Sequence, residues 1–387
     1  MWWSYIYIAP PWKLDAIQAY LNRSGECPLD IWISVDPNYY RYKDEIGLPS
    51  LADYLHLGPI LFPHLPRCRS LTFHGIFRGV DYLLAYLITP LIGLDMPYLE
   101  ELMIDCEFER DHGDIHKTLF QSAPRLIDVR LGGLSAASFR PPFSNIRSLH
   151  LSHTTDKHRL TFSHLKDILV SCEYLTTLAI YNDILIDWNG MDLERSCSVP
   201  FLESLYILGN RMRNFTVLVL FLSAPKLQEL VIVPAVGSDF TYLVPHADLP
   251  NGLPRFPALV QLTVAPALYD VSGPPLQGAS RCFPNIQTLI LANPYVAGSK
   301  DLQTLFPKME NLALTAVNEE MVRVVQQVAK VRKLRGSPLK NVYVDSNTMA
   351  TFMGVEGDWE GINVQVADLW ENQRKKAMYR NVKNFFI

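Results

Sequence analysis

Two histidines four residues apart, His112 and His116, stand among Glu109, Asp111 and Asp114. On a helix that spacing turns both imidazoles to one side, as a metal site requires. Gly113 between them and the two aspartates favour a polar loop instead, leading into a helix over Ile115–Gln121. His150, His153, His158 and His164 form a second, looser group with no zinc-ligand spacing. His150 follows the strand-type Leu149 and is expected to face away from the core, and the others read as a solvated loop. Asp105 and His74 hold equivalent places in two successive strand segments and should meet across them as a surface hydrogen bond. Nucleophilic catalysis would call for a G-x-S-x-G elbow or a cysteine motif beside a positioned histidine, and the sequence has neither. It also lacks the G-x-x-x-x-G-K-[ST] and G-x-G-x-x-G patterns that cradle phosphates. The expectation is no catalytic set, no metal and no cofactor.

The elements that would position such residues come from a recurring phrase: proline, any residue, apolar, two residues, apolar, one residue, apolar. It reads LPRCRSLTF at Leu65–Phe73, MPYLEELMI at Met96–Ile104, APRLIDVRL at Ala123–Leu131 and VPFLESLYI at Val199–Ile207. It returns as APKLQELVI at Ala224–Ile232, FPALVQLTV at Phe256–Val264, FPNIQTLIL at Phe283–Leu291 and FPKMENLAL at Phe306–Leu314. Copies without the proline in register centre on Leu149, Leu178 and Val342. The middle apolar residue thus steps from Leu71 to Val342 at intervals of 20 to 32 residues. That is around the period of leucine-rich repeats. The last two apolar slots alternate, so both point to one side of a short strand. Proline suits the approach, where no ladder donor is needed.

Between strands, Thr161–Glu173 has Phe162, Leu165, Ile168 and Leu169 on one helical face, and Asn318–Lys330 has Met321, Val324, Val325 and Val328. Met212–Ser223 is almost wholly apolar and should be a buried helix. Pro10–Asn22 reads as a helix with Leu14, Ile17 and Leu21 on one face, and Leu29–Val35 as the strand that opens the array. Val366–Phe386 reads as a terminal helix that caps the last copy. The fold class expected is α/β: an irregular leucine-rich-repeat-like solenoid, with a curved parallel sheet and helices and loops on its outer side. The consensus Asn three residues beyond the last apolar slot occurs only at Asn210, which makes the array irregular.

Hydrophobic residues make up 49% of the 387 residues and charged residues 19%, which supports a packed core. The net charge of −4 gives no basic field for nucleic acid, and the one cationic run, Arg374-Lys375-Lys376, reads as a solvated helix face. No apolar run approaches the ~20 residues of a membrane-spanning helix. Met1–Pro11 has no basic residue ahead of its apolar stretch, so it does not read as a signal peptide. Six scattered cysteines with no C-x-x-C pair read as free, reduced thiols. The expectation is a soluble cytoplasmic or nuclear protein, with no nucleic-acid or membrane partner.

The phrases RCRSLTF (Arg67–Phe73), LFQSAPRLIDVRL (Leu119–Leu131), LVSCEYLTTLAI (Leu169–Ile180) and LFLSAPKLQELVI (Leu220–Ile232) resemble those of fungal F-box proteins with divergent leucine-rich repeats. AYLNRSGECPLDIWI at Ala19–Ile33 shares the likeness, which covers roughly residues 1 to 345. The resemblance implies that an F-box docks on the Skp adaptor of a cullin ubiquitin ligase while the repeats hold a protein substrate. Trp2-Trp3-Ser4-Tyr5-Ile6-Tyr7-Ile8 looks like the segment just after an F-box, with the F-box itself missing, so adaptor docking is not expected of this chain. Residues 1–35 are then a remnant and N-terminal cap, 36–345 about eleven repeat units, and 346–387 a C-terminal cap.

The expected function is non-catalytic protein binding, with an enzyme of unknown class on an α/β scaffold as the alternative. The residues between the apolar slots should form the inner, partner-binding face. They are Glu101, Asp105, Asp128, Arg130 and His150 early in the chain, then Tyr206, Leu208, Val231, Val233 and Ile290. The later, apolar set should be contiguous on adjacent strands, either as a partner site or under another segment.

Overall fold

Each proline-containing copy folds as a turn that hands over to a strand. The amide of the first apolar slot donates to the carbonyl of the residue before the proline: Leu99 to Met96 (3.3 Å), Leu126 to Ala123 (3.1 Å), Leu227 to Ala224 (3.1 Å) and Met309 to Phe306 (2.9 Å). Proline therefore occupies the second position of a β-turn, where its fixed φ is already right. The next backbone carbonyl clamps the copy that follows. Glu100 O accepts from the amides of both Ile127 (3.0 Å) and Asp128 (3.1 Å), and Val260 O from Gln287 (2.8 Å) and Thr288 (3.0 Å). Glu203 O accepts in the same way from Gln228 (2.9 Å) and Glu229 (3.0 Å).

The computed structural model describes residues 4–9, 13–34, 51–76, 86–107, 117–133, 139–152, 160–182, 184–185, 197–209, 215–235, 240, 243, 256–266, 275–292, 300–315, 317–355, 359 and 361–367. The chain is mixed α/β and forms two compact units, Met1–Thr176 with Ile184–Asp187 and Thr177–Asp183 with Trp188–Ile387. The first holds β1 (Tyr5–Ile8), β2 (Leu29–Ser34), β3 (Cys68–Ile76), β4 (Glu101–Glu107), β5 (Lys117–Thr118), β6 (Asp128–Gly133), β7 (Phe139–Arg140) and β8 (Ser148–Ser152). β1, β2, β3, β4, β6 and β8 pair in parallel in that order, and β5 pairs with β7. The second unit holds β9 (Thr177–Tyr181), β10 (Cys197–Ser198), β11 (Ser204–Leu208), β12 (Leu222–Ser223), β13 (Glu229–Ala235) and β14 (Gln261–Pro266). It continues with β15 (Thr288–Leu291), β16 (Asn311–Leu314), β17 (Asn341–Val344) and β18 (Asn363–Val366). There β9, β11 and β13 to β18 pair in parallel in chain order, and β10 pairs with β12.

Register follows the apolar phrase. In the first unit Leu71, Leu102, Val129 and Leu149 stand opposite one another on successive strands. In the second the row is Leu178, Leu205, Leu230, Leu262, Leu289, Leu312 and Val342. All of these are buried. Ile6 and Ile31 extend the first row and Val364 the second, so both ladders run beyond the copies visible in the sequence. The array opens at β1, one strand ahead of the expected Leu29–Val35.

Helices form where the apolar spacing changes to that of a helix. Thr161 caps Phe162–Ser171 by accepting from the His164 amide (3.2 Å), and Leu165, Ile168 and Leu169 are buried. Asn318 caps Glu319–Leu334 in the same way through Met321 (2.9 Å). That helix also carries a buried arginine, Arg332, which donates to the carbonyls of Leu305 (2.8 Å), Phe306 (3.1 Å) and Met309 (2.9 Å). The guanidinium fork thereby stitches the helix to the turn of an earlier copy. Leu14–Arg23 buries Ile17 and Leu21 as expected, while Leu14 is only half-buried.

Three expected elements differ. Lys117 and Thr118, placed in a helix by sequence, form β5, and Phe120 just beyond has a positive φ of 59°, which a helix does not allow. In the described part of the apolar Met212–Ser223 segment the helix runs over Phe215–Phe221 and stops short of Ser223, because Leu222 and Ser223 pair with Cys197 and Ser198. Val366 belongs to β18 and not to a helix, since Asn363-Val364-Gln365-Val366 alternates with the period of a strand. Ala367 still follows the strand, its amide donating to Val344 O (3.0 Å), and the expected terminal helix from residue 368 on lies outside the described residues, as do the cationic run 374–376 and the histidines at 112, 116, 153 and 158. Of the cysteines, Cys68, Cys172 and Cys197 are buried thiols and Cys27 is exposed. Burial pushes the Cys68 thiol up to about 12, which leaves it protonated and unreactive. Among the described residues, no helix is long and apolar enough to cross a membrane.

Replacing Leu205, Leu230 or Leu289 by alanine should each cost about 2–5 kcal/mol, because each is fully buried in the central row of the second unit. Urea denaturation followed by circular dichroism would check this. A loss below ~0.5 kcal/mol for any of the three would contradict its place in the core.

Candidate partner-binding face

Each strand buries one set of alternate side chains and sends the other set to the reverse side of the sheet. In the first unit this reverse side carries three rows. Tyr5, Asp30, Ser70, Glu101, Asp128 and Ser148 form the first. Tyr7, Trp32, Thr72, Met103, Arg130 and His150 form the second. Ser34, His74, Asp105 and Gly132 form the third.

The rows are open at β1 and closed at β8, and between these ends Ser34, Thr72 and Met103 are already buried. Tyr5 and Tyr7 on β1 are 59% and 57% exposed. Trp32, His74, Asp105 and Arg130 are half-buried, and Glu101 is exposed. By β8 the reverse side is sealed, with His150 and Ser152 both buried. His150, expected to face away from the core, does so on the reverse side, yet it is buried there. Its Nε2 lies 3.1 Å from the Ser148 hydroxyl.

Ion pairs neutralise the cations on this face. Arg69 grips Asp30 with two nitrogens, its Nε at 3.0 Å from Oδ1. Arg130 Nε and Nη2 reach the Asp128 carboxylate at 3.1 and 3.3 Å. Glu101 accepts from the Ser70 hydroxyl at 3.3 Å. Asp105 and His74 do meet, with Nδ1 at 3.3 Å from Oδ2, but the expected hydrogen bond is not made there. His74 also takes the Trp32 ring edge-on, centroids 6.3 Å apart. Gly132 makes room for Asp105: a Cβ there would collide with Asp105 Oδ1 and stand 2.8 Å from Ser152 Oγ.

Two serines share this side with His74 and Asp105. Ser34, His74 and Asp105 stand opposite one another in that order on β2, β3 and β4, with Ser34 buried. Ser152 on β8 is three strand spacings from His74, about 14 Å at ~4.8 Å per strand, too far for its hydroxyl to give a proton to that imidazole.

The second unit treats the same side differently. Its first row is polar and bonded along its length: Ser204 Oγ (3.1 Å), Tyr206 OH (2.7 Å) and Gln261 Nε2 (2.7 Å) all donate to the buried Glu229. Further on, Asn341 donates to Asn311 (2.8 Å) and Asn363 to Asn341 (3.3 Å). Burial and the Glu229 carboxylate push the Tyr206 phenol far above its ordinary value, so it remains a donor. Tyr206, Leu208, Val231 and Val233 are contiguous on adjacent strands, as expected, and pack with Ala179, Ala265 and Ala292 into one cluster. All four are buried, and so is Ile290. They are a second core and not a free docking surface. A strand apolar on both sides gains most by burial on both sides, as is usual in parallel sheets.

The sequence reading therefore placed Glu101, Asp105, Asp128 and Arg130 on one face correctly, and missed Tyr5, Tyr7 and Trp32 beside them. The Tyr-Ile-Tyr-Ile alternation was the available signal. A comparison of the chain with profiles of known protein families gives no match, and a search of curated proteins gives none either.

Burial lowers the His150 pKa from 6.5 to about 4, with the Arg130 charge acting in the same direction. Above pH 6.5 the ring is neutral in both the folded and the unfolded chain and adds no pH dependence. Between 6.5 and 4 the unfolded chain binds a proton that the folded chain refuses, so stability falls as pH falls. The full loss is at most about 3 kcal/mol, at ~1.4 kcal/mol per unit. Urea denaturation at pH 7, 5.5 and 4 should show this decline, and His150→Gln should flatten it. Equal pH slopes for the two proteins would refute the assignment.

Proposed function

We propose that this chain is a non-catalytic protein-binding module whose binding face is the open reverse side of β1 to β6. In this reading it is an irregular leucine-rich-repeat-like solenoid, of the kind that holds the substrate in fungal F-box receptors of ubiquitin ligases. The observation that carries the reading is the set of in-register rows in the first unit. They bring aromatic, acidic and basic side chains to the surface at fixed intervals on adjacent strands. The five strands β1, β2, β3, β4 and β6 span about 19 Å at ~4.8 Å per strand. A platform of that width suits a segment of protein better than a small molecule, which asks for a concave pocket. Half-buried Trp32 and Arg130 belong to the residue types that most often dominate binding energy at protein interfaces.

The test is site-specific photo-crosslinking in living cells with the full chain. A benzophenone amino acid is placed at Tyr7, at Trp32, or at the exposed Val170 on the helix Phe162–Ser171. The same protein adducts are expected from Tyr7 and Trp32 and not from Val170. Adding Arg130→Glu should lower those adducts at least fivefold. Indistinguishable adducts from all three positions, or indifference to Arg130→Glu, would overturn the assignment of this face.

A further inference from the structure

The charges on the open face do not balance. Among the described residues, the two arginines at this face, Arg69 and Arg130, are held by Asp30 and Asp128. Among the described residues, Glu101 takes the neutral Ser70 hydroxyl and the lesser part of the Arg69 charge that Asp30 already grips, and Asp105 pairs with His74. Two carboxylates without a full counter-charge therefore stand four residues apart on β4, Glu101 exposed and Asp105 half-buried, with the buried Met103 between them. On β1 and β2, Tyr5 lies in the row of Glu101, and Tyr7 and Trp32 lie in the row between the two carboxylates, with the two tyrosines more than half exposed. Burying these carboxylates under an acidic or apolar partner would be costly. An exposed tyrosine or tryptophan face, in contrast, attracts a guanidinium or ammonium group within about 6 Å of its centroid. The carboxylates can take the same kind of group through charge-assisted hydrogen bonds. Aromatic faces and surplus acids are two independent features, and one chemical class satisfies both.

We infer that the open face of the first unit receives a basic, arginine- or lysine-bearing segment of a partner protein. Its cationic side chains stack on Tyr5, Tyr7 and Trp32 and pair with Glu101 and Asp105. This rests on the protein-binding reading above and adds the chemistry of the partner. Arginine fits better than lysine, because its planar fork can stack on a ring while it bonds a carboxylate. Alternating arginines along an extended segment would present one side to the sheet every two residues.

The experiment is a fluorescence-anisotropy titration of the full chain with three labelled nonapeptides, in which serine alternates with arginine, glutamine or glutamate. The arginine peptide should bind, the glutamine peptide at least tenfold more weakly, and the glutamate peptide not measurably. Raising the salt should weaken the arginine peptide's binding. Tyr7→Ala with Trp32→Ala should reduce its affinity about tenfold, and so should Glu101→Gln with Asp105→Asn. Glu319→Lys, on a helix of the second unit, should leave it unchanged. Tyr7→Ala alone, on the exposed strand, guards against a folding artefact and should still cost severalfold. If the glutamine or glutamate peptide binds as well, and does so through Tyr7 and Trp32, the cationic partner is wrong while the protein-binding face stands. If the arginine peptide binds with no dependence on these residues, the inference fails. If none of the three peptides binds while the photo-crosslinks still form, the cationic assignment falls alone. If the crosslinks are also absent, both readings fall.

Discussion

A single carbonyl per copy holds the geometry of this chain together. It lies just after the turn and accepts two amides from the copy that follows, as Glu100 does from Ile127 and Asp128. A peptide oxygen has two lone pairs, and here both are filled by backbone. The arrangement sets the height of each strand against the last. A shift of one residue would send every leucine of the central row to the reverse side and bring charges such as Glu101 and Arg130 into the core. The turn that precedes the clamp is equally constrained, with proline at its second position and a buried side chain at each end. Met96 and Leu99, or Phe306 and Met309, are examples.

With one side of the sheet committed to this packing, the other side is free to vary, and the two units use that freedom in opposite ways. In the second unit it becomes a second core, with Tyr206, Val231 and Ile290 buried and Glu229 satisfied by three donors. A buried carboxylate is tolerable only with such a full set of partners. In the first unit most of the same positions are polar or aromatic, and several, among them Tyr5, Tyr7 and Glu101, are exposed, although Ser34, Thr72 and Met103 are buried. Gly132 illustrates how finely this side is fitted. Without a side chain it leaves room for the Asp105 carboxylate to lean over the neighbouring strand.

The copies, their register and the buried leucine row were legible from the spacing of prolines and apolar residues alone, because packing on one side enforces that spacing. The ends were less so. In Tyr5–Ile8 every residue is apolar or aromatic, so the half-exposed strand shows only when the alternating tyrosines are told apart from the isoleucines. At Val366 the opposite happened: a helical pattern farther along masked a strand already evident in Asn363–Val366. The reverse side was half legible. Polar types betrayed the open face, but nothing in LYIL or LVIV says whether an apolar face is bare or covered. Runs that are apolar on both faces are themselves the mark of a strand buried on both sides, and that mark was present at Leu205–Leu208 and Leu230–Val233. His150 shows the reverse error, a polar type that signals exposure at a place where neighbours exclude water.

The copies differ in length by as much as 12 residues, from 20 to 32, yet their strands stay in register. Because turn, clamp and strand are fixed at one end of each copy, a connector need only bridge two anchored points. Doubling its length costs about 0.6 kcal/mol of closure entropy, less than one buried methylene contributes. Insertions and deletions there are nearly neutral, whereas a single misplaced residue between proline and the last apolar slot is not. The chain is thus divided, copy by copy, into short stretches that must be kept and long ones that can drift. Over time such a molecule would keep its frame while its outline changed.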